Sequence, residues 1–293
     1  MQLTFWGVRG SIPSPGPQTV KYGGNTTCLE IRSDAGERII LDAGSGVRAL
    51  GLELARSMPV NCSLFITHTH WDHIHGLPFF IPLFVPGNRL DIYGAADPVS
   101  MGSVKDVLSV QLEYRYFPVR EAELKAEITT STLREGQPIR IGDATITPIL
   151  LNHPVLNFGY KIVCNGKSLF FTGDHERYYN IYSPEEEDFE EYEKAVNEKQ
   201  AAFVEFLRDV DVLVADAQYT SEEYKGKVGW GHSTYAQSVA LAKAAGVPRL
   251  FLTHHDPTRG DDALDAILER LRREHAGPDF DLDFAREGVC VEI

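Results

Sequence analysis

The chain has 293 residues, 43% of them hydrophobic, enough to build a substantial core. Its formal charge of −14 argues against a large nucleic acid as partner, because sequence-independent attraction to polyanions draws on a basic stripe. No long uncharged apolar run is present, so neither a membrane-spanning helix nor a membrane partner is expected. Met1 to Phe5 reads as an opening strand with no cationic secretory leader. Cys28, Cys62, Cys164 and Cys290 are scattered through apolar, strand-like surroundings with no CxxC pair, and read as buried reduced thiols of a cytoplasmic protein.

The opening strand, Gln2 to Trp6, leads into a Gly- and Pro-rich loop from Gly7 to Pro17, too long for a hairpin turn. The later Gly23-Gly24-Asn25-Thr26-Thr27 offers donors for an anion, Asn25 among them, or is an ordinary connector. Strands are expected at Cys28 to Ser33 and Arg38 to Leu41. Asp42, directly after the second, either orients a metal-bound imidazole or caps the helix expected from Val47 to Ser57.

The apolar run from Cys62 then opens into Thr67-His68-Thr69-His70-Trp71-Asp72-His73. At a strand end, side chains two residues apart share a side, so His68 and His70 converge on one ion. The turn that follows aims Asp72 and His73 toward a second. A purely structural role would desolvate three His and an Asp with nothing to pair them. The run therefore reads as half of a two-metal site, and its imidazoles and carboxylate suit zinc, manganese or iron better than calcium or magnesium.

After a short apolar turn stopped by Pro82 and Pro86, Arg89 to Tyr93 returns as a strand. Ala95 to Lys125 is less regular, with helical spacing at Val104 to Leu112. Within it, Tyr114-Arg115-Tyr116-Phe117-Pro118 either packs as core or, through Arg115 and Tyr116, pairs a phosphate and stacks a base. Strands resume at Ala126 to Thr130, Ile139 to Ile141, Thr145 to Leu151, Gly159 to Cys164 and Ser168 to Thr172. His153 and Asp174 stand just past two of these strand ends, as His68 does past its own.

From Pro184 the chain turns acidic, and residues 185–207 read as an amphipathic helix with a solvated acidic face; a lid or dimer contact is the alternative. Asp211 to Ala215 is a buried strand leading to Asp216. His232 precedes a helix from Tyr235 to Ala245, capped by Ser233 or Thr234 and closed by Gly246. The strand Arg249 to Thr253 ends at His254, and Asp261 to Glu274 forms a closing surface helix. No internal repeat or linker appears, and strands with helices in each half point to two sheet layers with outer helices.

Thr67 to Pro78, His153 with Phe158-Gly159-Tyr160, Phe171-Thr172-Gly173-Asp174, Gly231-His232-Ser233-Thr234 and Leu252-Thr253-His254 together resemble the metallo-β-lactamase superfamily of hydrolases, and within it the ribonuclease Z branch. The resemblance spans nearly the whole chain. It implies an α/β fold, a four-layer αββα sandwich of two mixed β-sheets with outer helices, as one hydrolase domain over residues 1–293. It also implies that His68, His70, His153 and Asp174 hold one metal and Asp72, His73, Asp174 and His254 the other, with Asp174 bridging. Asp72 and His232 are the expected catalytic residues, His232 unligated and facing the leaving group. His75, His175, His255 and His275 match no ligand position.

The implied cofactors are two divalent metal ions, zinc first, manganese or iron otherwise, and homodimers are common in the branch. A phosphodiester suits the spare His232 better than an ester or lactam, since a leaving alkoxide needs a proton. The expected activity is that of a phosphodiesterase, with a hydroxide shared between the metals attacking a small phosphodiester such as a cyclic nucleotide. In ribonuclease Z, a flexible arm that grips transfer RNA is inserted between the positions matching His153 and Asp174. Here that interval holds only a short strand pair. The alternatives are a ribonuclease Z-like nuclease processing RNA 3′ ends and a thiolester or lactone hydrolase. A metal-binding sensor or scaffold without chemistry is disfavoured, because every ligand position and His232 are filled.

Overall fold

The computed structural model describes residues 1–99 and 102–293, so the reading of Ala95 to Lys125 lies outside the described residues at 100 and 101. Among the described residues, fourteen strands form two seven-stranded sheets. The first is built from β1 (Gln2–Gly7), β2 (Cys28–Arg32), β3 (Arg38–Leu41), β4 (Asn61–Phe65), β5 (Arg89–Gly94) and β6 (Glu127–Thr132) in sequential order. The second runs backward through β7 (Ile139–Ile141), β8 (Ala144–Leu151), β9 (Asn157–Cys164), β10 (Lys167–Phe171), β11 (Val212–Asp216), β12 (Arg249–Thr253) and β13 (Asp281–Phe284). The last strand, β14 (Cys290–Glu292), crosses to the first sheet and pairs with β1.

Each sheet is antiparallel in one half and parallel in the other: β3 to β6 run parallel in the first, β10 to β13 in the second. Parallel neighbours need crossover connections, and these supply the outer helices. They are α1 (Gly46–Leu54), α2 (Trp71–Ile74) and α3 (Val104–Ser109) on one side, and α4 (Phe189–Phe206), α5 (Ser221–Tyr224), α6 (Tyr235–Ala245) and α7 (Asp261–His275) among the crossovers of the second sheet.

Strand alternation divides the apolar residues between layers. Val212 and Val214 face the space between the sheets with Phe5, Ile31, Ile39 and Ile162. Leu213, with Leu250 and Leu252, faces outward onto Val239, Leu264 and Leu268 of α6 and α7. On the other side Ile40, Leu64 and Ile92 pack against Val47, Leu50 and Leu108. The result is the four-layer αββα arrangement. Each such side chain taken out of water contributes roughly 1.5–3 kcal/mol before entropy is subtracted.

The structure departs from the sequence reading at several points. The helix expected from Val47 to Ser57 is α1, ending at Leu54, and Val104 to Leu112 divides into α3 and a single 3-10 turn at Val110–Leu112. The acidic helix starts only at Phe189, and Phe203 is its one fully buried residue. Two edge strands, β13 and β14, were not anticipated. Cys28, Cys62 and Cys164 are buried and free as expected, whereas Cys290 is exposed because it lies on the solvent side of the edge strand β14.

Candidate metal centre

The C-terminal ends of β3, β4, β10, β11 and β12 meet along one rim; Asp216 is the last residue of β11, and the chain just beyond the others carries Asp42, His68, Asp174 and His254. Beyond β4 the chain carries His68 and then His70, the latter in extended backbone, and α2 turns Asp72 and His73 inward. His153 arrives from the end of β8. One ligand atom each from His68, His70, His153 and Asp174 lies within 4.8 Å of the others, and the same holds for Asp72, His73, Asp174 and His254.

Asp174 divides its two oxygens between these groups. Oδ2 lies 3.5 Å from His68 Nε2 and 3.9 Å from His153 Nε2. Oδ1 lies 3.2 Å from His73 Nε2 and 3.2 Å from His254 Nε2. Asp72 Oδ2 joins the second group, 3.1 Å from His254 Nε2 and 3.5 Å from His73 Nε2.

These side chains fit divalent cations. His73 Nδ1 donates to Asp42 Oδ2 at 2.7 Å and His153 Nδ1 to the Gly231 carbonyl at 2.9 Å, tautomers assigned from those partners. In the neutral imidazole each Nε2 is then a bare lone pair. His73 Nε2 faces His254 Nε2 at 3.4 Å and His153 Nε2 faces His70 Nδ1 at 3.0 Å. His68 Nε2 and Asp174 Oδ1 are buried without any hydrogen-bond partner. Lone pairs and carboxylates crowded into buried space are unfavourable alone and suited to a cation.

The protonation equilibria follow the same geometry. Burial pushes the His68 imidazole well below its ordinary value and holds His153 down at about 4, so both keep free lone pairs at neutral pH. Burial disfavours a proton on His73 too, but Asp174, Asp72 and Asp42 outweigh it and raise that imidazole well above its ordinary value. A cation competes with that proton for the same nitrogen. Burial would raise Asp174, yet His254 and His73 hold its carboxyl well below the usual range.

The supporting residues are held as tightly. Asp42 is fully buried and accepts from Thr67 N at 2.7 Å, Thr67 Oγ1 at 2.9 Å and His73. It therefore orients an imidazole, whereas α1 begins after Ser45 with no side-chain cap. Ser11 N donates to Asp72 Oδ2 at 2.7 Å. Ser11, Asp42 and His254 all have positive φ, at 64°, 62° and 61°. Strained backbone of this kind costs on the order of 1 kcal/mol or more per residue and concentrates at functional sites.

His232 sits just before α6. Its Nδ1 lies 2.9 Å from Asp216 Oδ2 and 3.8 Å from Asp174 Oδ2, and its ring stacks 4.8 Å from that of His254. Burial pushes its pKa down, but Asp216 and Asp174 override this and raise it to about 9. Asp216 was not singled out from sequence. Its signal was there all the same: it closes a buried strand, and Asp42 and Asp174 follow two others.

Other expected site residues stand elsewhere. Asn25 donates its N–H and its amide to Glu287 and accepts from Ser45 Oγ, so its donors are occupied by protein and not aimed at an anion. Arg115 pairs with Glu113 on an exposed surface, with the exposed Tyr116 ring beside it. Among the described residues, no hydrogen bond, ion pair or ring contact links Arg115 or Tyr116 to the His–Asp cluster. His75, His175, His255 and His275 lie outside both four-residue groups; His255 donates to the Ala285 carbonyl, and the His175 ring packs on Tyr178 and Phe203. No helix among the described residues is long and apolar enough to cross a membrane.

Comparison with known proteins gives a consistent picture. A family model described as "Beta-lactamase superfamily domain" matches residues 37–255. The ribonuclease Z of Acaryochloris marina is 25% identical over 94% of this chain and 92% of its own. The crystal structure of the metallo-β-lactamase fold protein YhfI from Bacillus subtilis superposes with a TM-score of 0.68 at 20% identity, covering 100% of this chain and 98% of that one. A diphosphatase of the PhnP family superposes with a TM-score of 0.63 at 18% identity, covering 100% and 97%.

Proposed function

The chain belongs to the β-lactamase superfamily, and with that as premise we propose that it is a metal-dependent hydrolase, a phosphodiesterase acting on a small phosphodiester such as a cyclic nucleotide. The observation that carries this reading is the split Asp174 carboxylate, one oxygen to each nitrogen group, with His232 beside it on Asp216. His68, His70, His153 and Asp174 would hold one divalent cation and Asp72, His73, Asp174 and His254 a second, and such a pair would supply Lewis acidity toward water and a positive clamp for phosphoryl oxygens. Zinc suits the donor set best, with manganese or iron as alternatives.

The chain's own groups do the rest. Ser11 N and the Asp42–His73 bond fix ligand directions before substrate arrives. His232 delivers its proton to the departing alkoxide, a contribution of about 10²–10⁴-fold for a positioned acid. Asp216 keeps that proton in place at neutral pH.

Two features favour a small substrate. The hairpin between β9 and β10 turns at Asn165 and Gly166, leaving no arm between His153 and Asp174, and the charge is −14. The curated relatives named ribonuclease Z support the second reading, an RNA 3′-end processing nuclease. Free cysteines suit the reducing cytoplasm.

The test is a screen of the metal-loaded protein against cyclic mononucleotides, cyclic dinucleotides, short RNAs and bis(p-nitrophenyl) phosphate, beside a transfer-RNA precursor and thiolester and lactone substrates. Turnover of the small diesters is expected. Cleavage of the precursor alone would favour the nuclease, and turnover of acyl substrates alone would replace both.

A further inference from the structure

The loop that delivers His232 is built as a rigid display. Glu176, buried at 1% exposure, gives its carboxylate to three donors: Gly229 N at 2.8 Å, Tyr224 Oη at 2.5 Å and Gly231 N at 2.8 Å. Gly229 and Gly231 both sit at positive φ, 86° and 88°, which lets the backbone turn sharply on either side of Trp230. The Gly231 carbonyl also accepts from the His153 ring. A buried carboxylate thus spends its hydrogen bonds holding a loop on which the Trp230 side chain is 59% exposed.

Lone exposed apolar residues are common and need no explanation. Here the neighbourhood adds one. Lys227 Nζ lies 5.4 Å from the Trp230 ring and 4.3 Å from the Tyr219 ring. The buried Tyr219 ring in turn stands edge-on to His232, 5.9 Å between centroids. Among the described residues Lys227 makes no ion pair, although acidic residues outnumber basic ones 42 to 28. An indole face, an unneutralised ammonium and a short relay of rings to His232 form a ledge beside the site. Through Tyr219 that ledge adjoins His232, the proposed acid.

We infer that Trp230, backed by Lys227, is a nucleobase platform, so that the substrate is a nucleotide diester whose leaving oxygen belongs to a nucleoside. This rests on the phosphodiesterase reading and narrows it, setting lipid, sugar and glycerol diesters aside. Indole stacks on any base with little sequence preference, and the ammonium favours an anionic nucleotide over a neutral nucleoside.

The experiment measures two quantities on the metal-loaded full chain: AMP binding by equilibrium dialysis, and kcat/KM for a dinucleotide and for glyceryl phosphodiester. Trp230→Ala is expected to weaken AMP binding by about 5- to 150-fold, the range for one base–aromatic stack. It should lower kcat/KM several-fold more for the dinucleotide than for the glyceryl ester. Trp230→Phe, which keeps a stacking face, should restore most of both, and Trp230→Leu, apolar but without one, should not. Unchanged AMP binding in Trp230→Ala, equal losses on both esters, or rescue by Leu as good as by Phe would each overturn the inference. AMP binding that depends on Trp230 in a protein that hydrolyses no diester would keep the platform and remove the phosphodiesterase reading.

Discussion

Replacing Asp42 by Asn tests the ligand geometry at a residue that touches no substrate. Asn tolerates the positive φ of 62° found there and nearly matches Asp in volume, so the fold should survive. The buried carboxylate accepts three hydrogen bonds, and Asn turns one of its oxygens into a donor. If the new NH2 takes the place of Oδ2, it meets His73 Nδ1–H, and the imidazole escapes only by moving its proton to Nε2. That is the nitrogen facing Asp174, Asp72 and His254. If the NH2 takes the place of Oδ1, it meets Thr67 N–H instead, donor against donor, at a cost of about 1–3 kcal/mol for the unpaired group. In either orientation the negative charge behind His73 is lost and its Nε2 becomes a weaker ligand, so metal affinity should fall by about 10- to 100-fold for the equivalent bound through His73, with the other equivalent less affected. Zinc titration of the apoprotein against a chromophoric chelator measures this, with thermal melts in EDTA checking the fold. Two equivalents bound by Asp42→Asn with wild-type affinity would refute the idea that Asp42 orients His73.

His232→Ala should lower kcat by roughly 10²–10⁴-fold while metal content, read by elemental analysis, stays at wild-type level; full turnover would remove the acid from the scheme. The His232 pKa is raised to about 9, so its proton is present below that value and lost above it. Bound cations would cancel part of the Asp174 contribution, so kcat should decline as pH rises through a value between the ordinary imidazole range and about 9. That limb should vanish in His232→Ala, and its persistence there would assign it to another group. Gly10→Ala would place a methyl 2.3 Å from the His254 ring, and the bound metal should fall from two equivalents toward one; an unchanged stoichiometry would show that His254 is not needed to hold the second ion.

How much of this was legible in the sequence depended on whether the relevant geometry was local. His68, His70, Asp72 and His73 could be read because strand alternation and one tight turn set their directions within seven residues. The role of Asp42 stayed open, since the deciding contact is with His73, 31 positions later. Asn25 misled for the same reason: its amide is consumed by Glu287, 262 positions away. Asp216 looked like any polar residue after a buried strand until the fold brought His232 against it. The edge strands β13 and β14, four and three residues long, carry too little alternation to stand out, and β14 pairs with the opposite end of the chain.

The rim where the two sheets meet gives the centre one more property. His68, His70, Asp72 and His73 descend from one sheet, and His153, Asp174 and His254 from the other. Bound ions would rivet the halves together, so any gaping of the sandwich would hasten an ion's escape. The release rate of metal would then serve as a clock for that breathing, slow in a taut molecule and quickened by any lesion that loosens the seam.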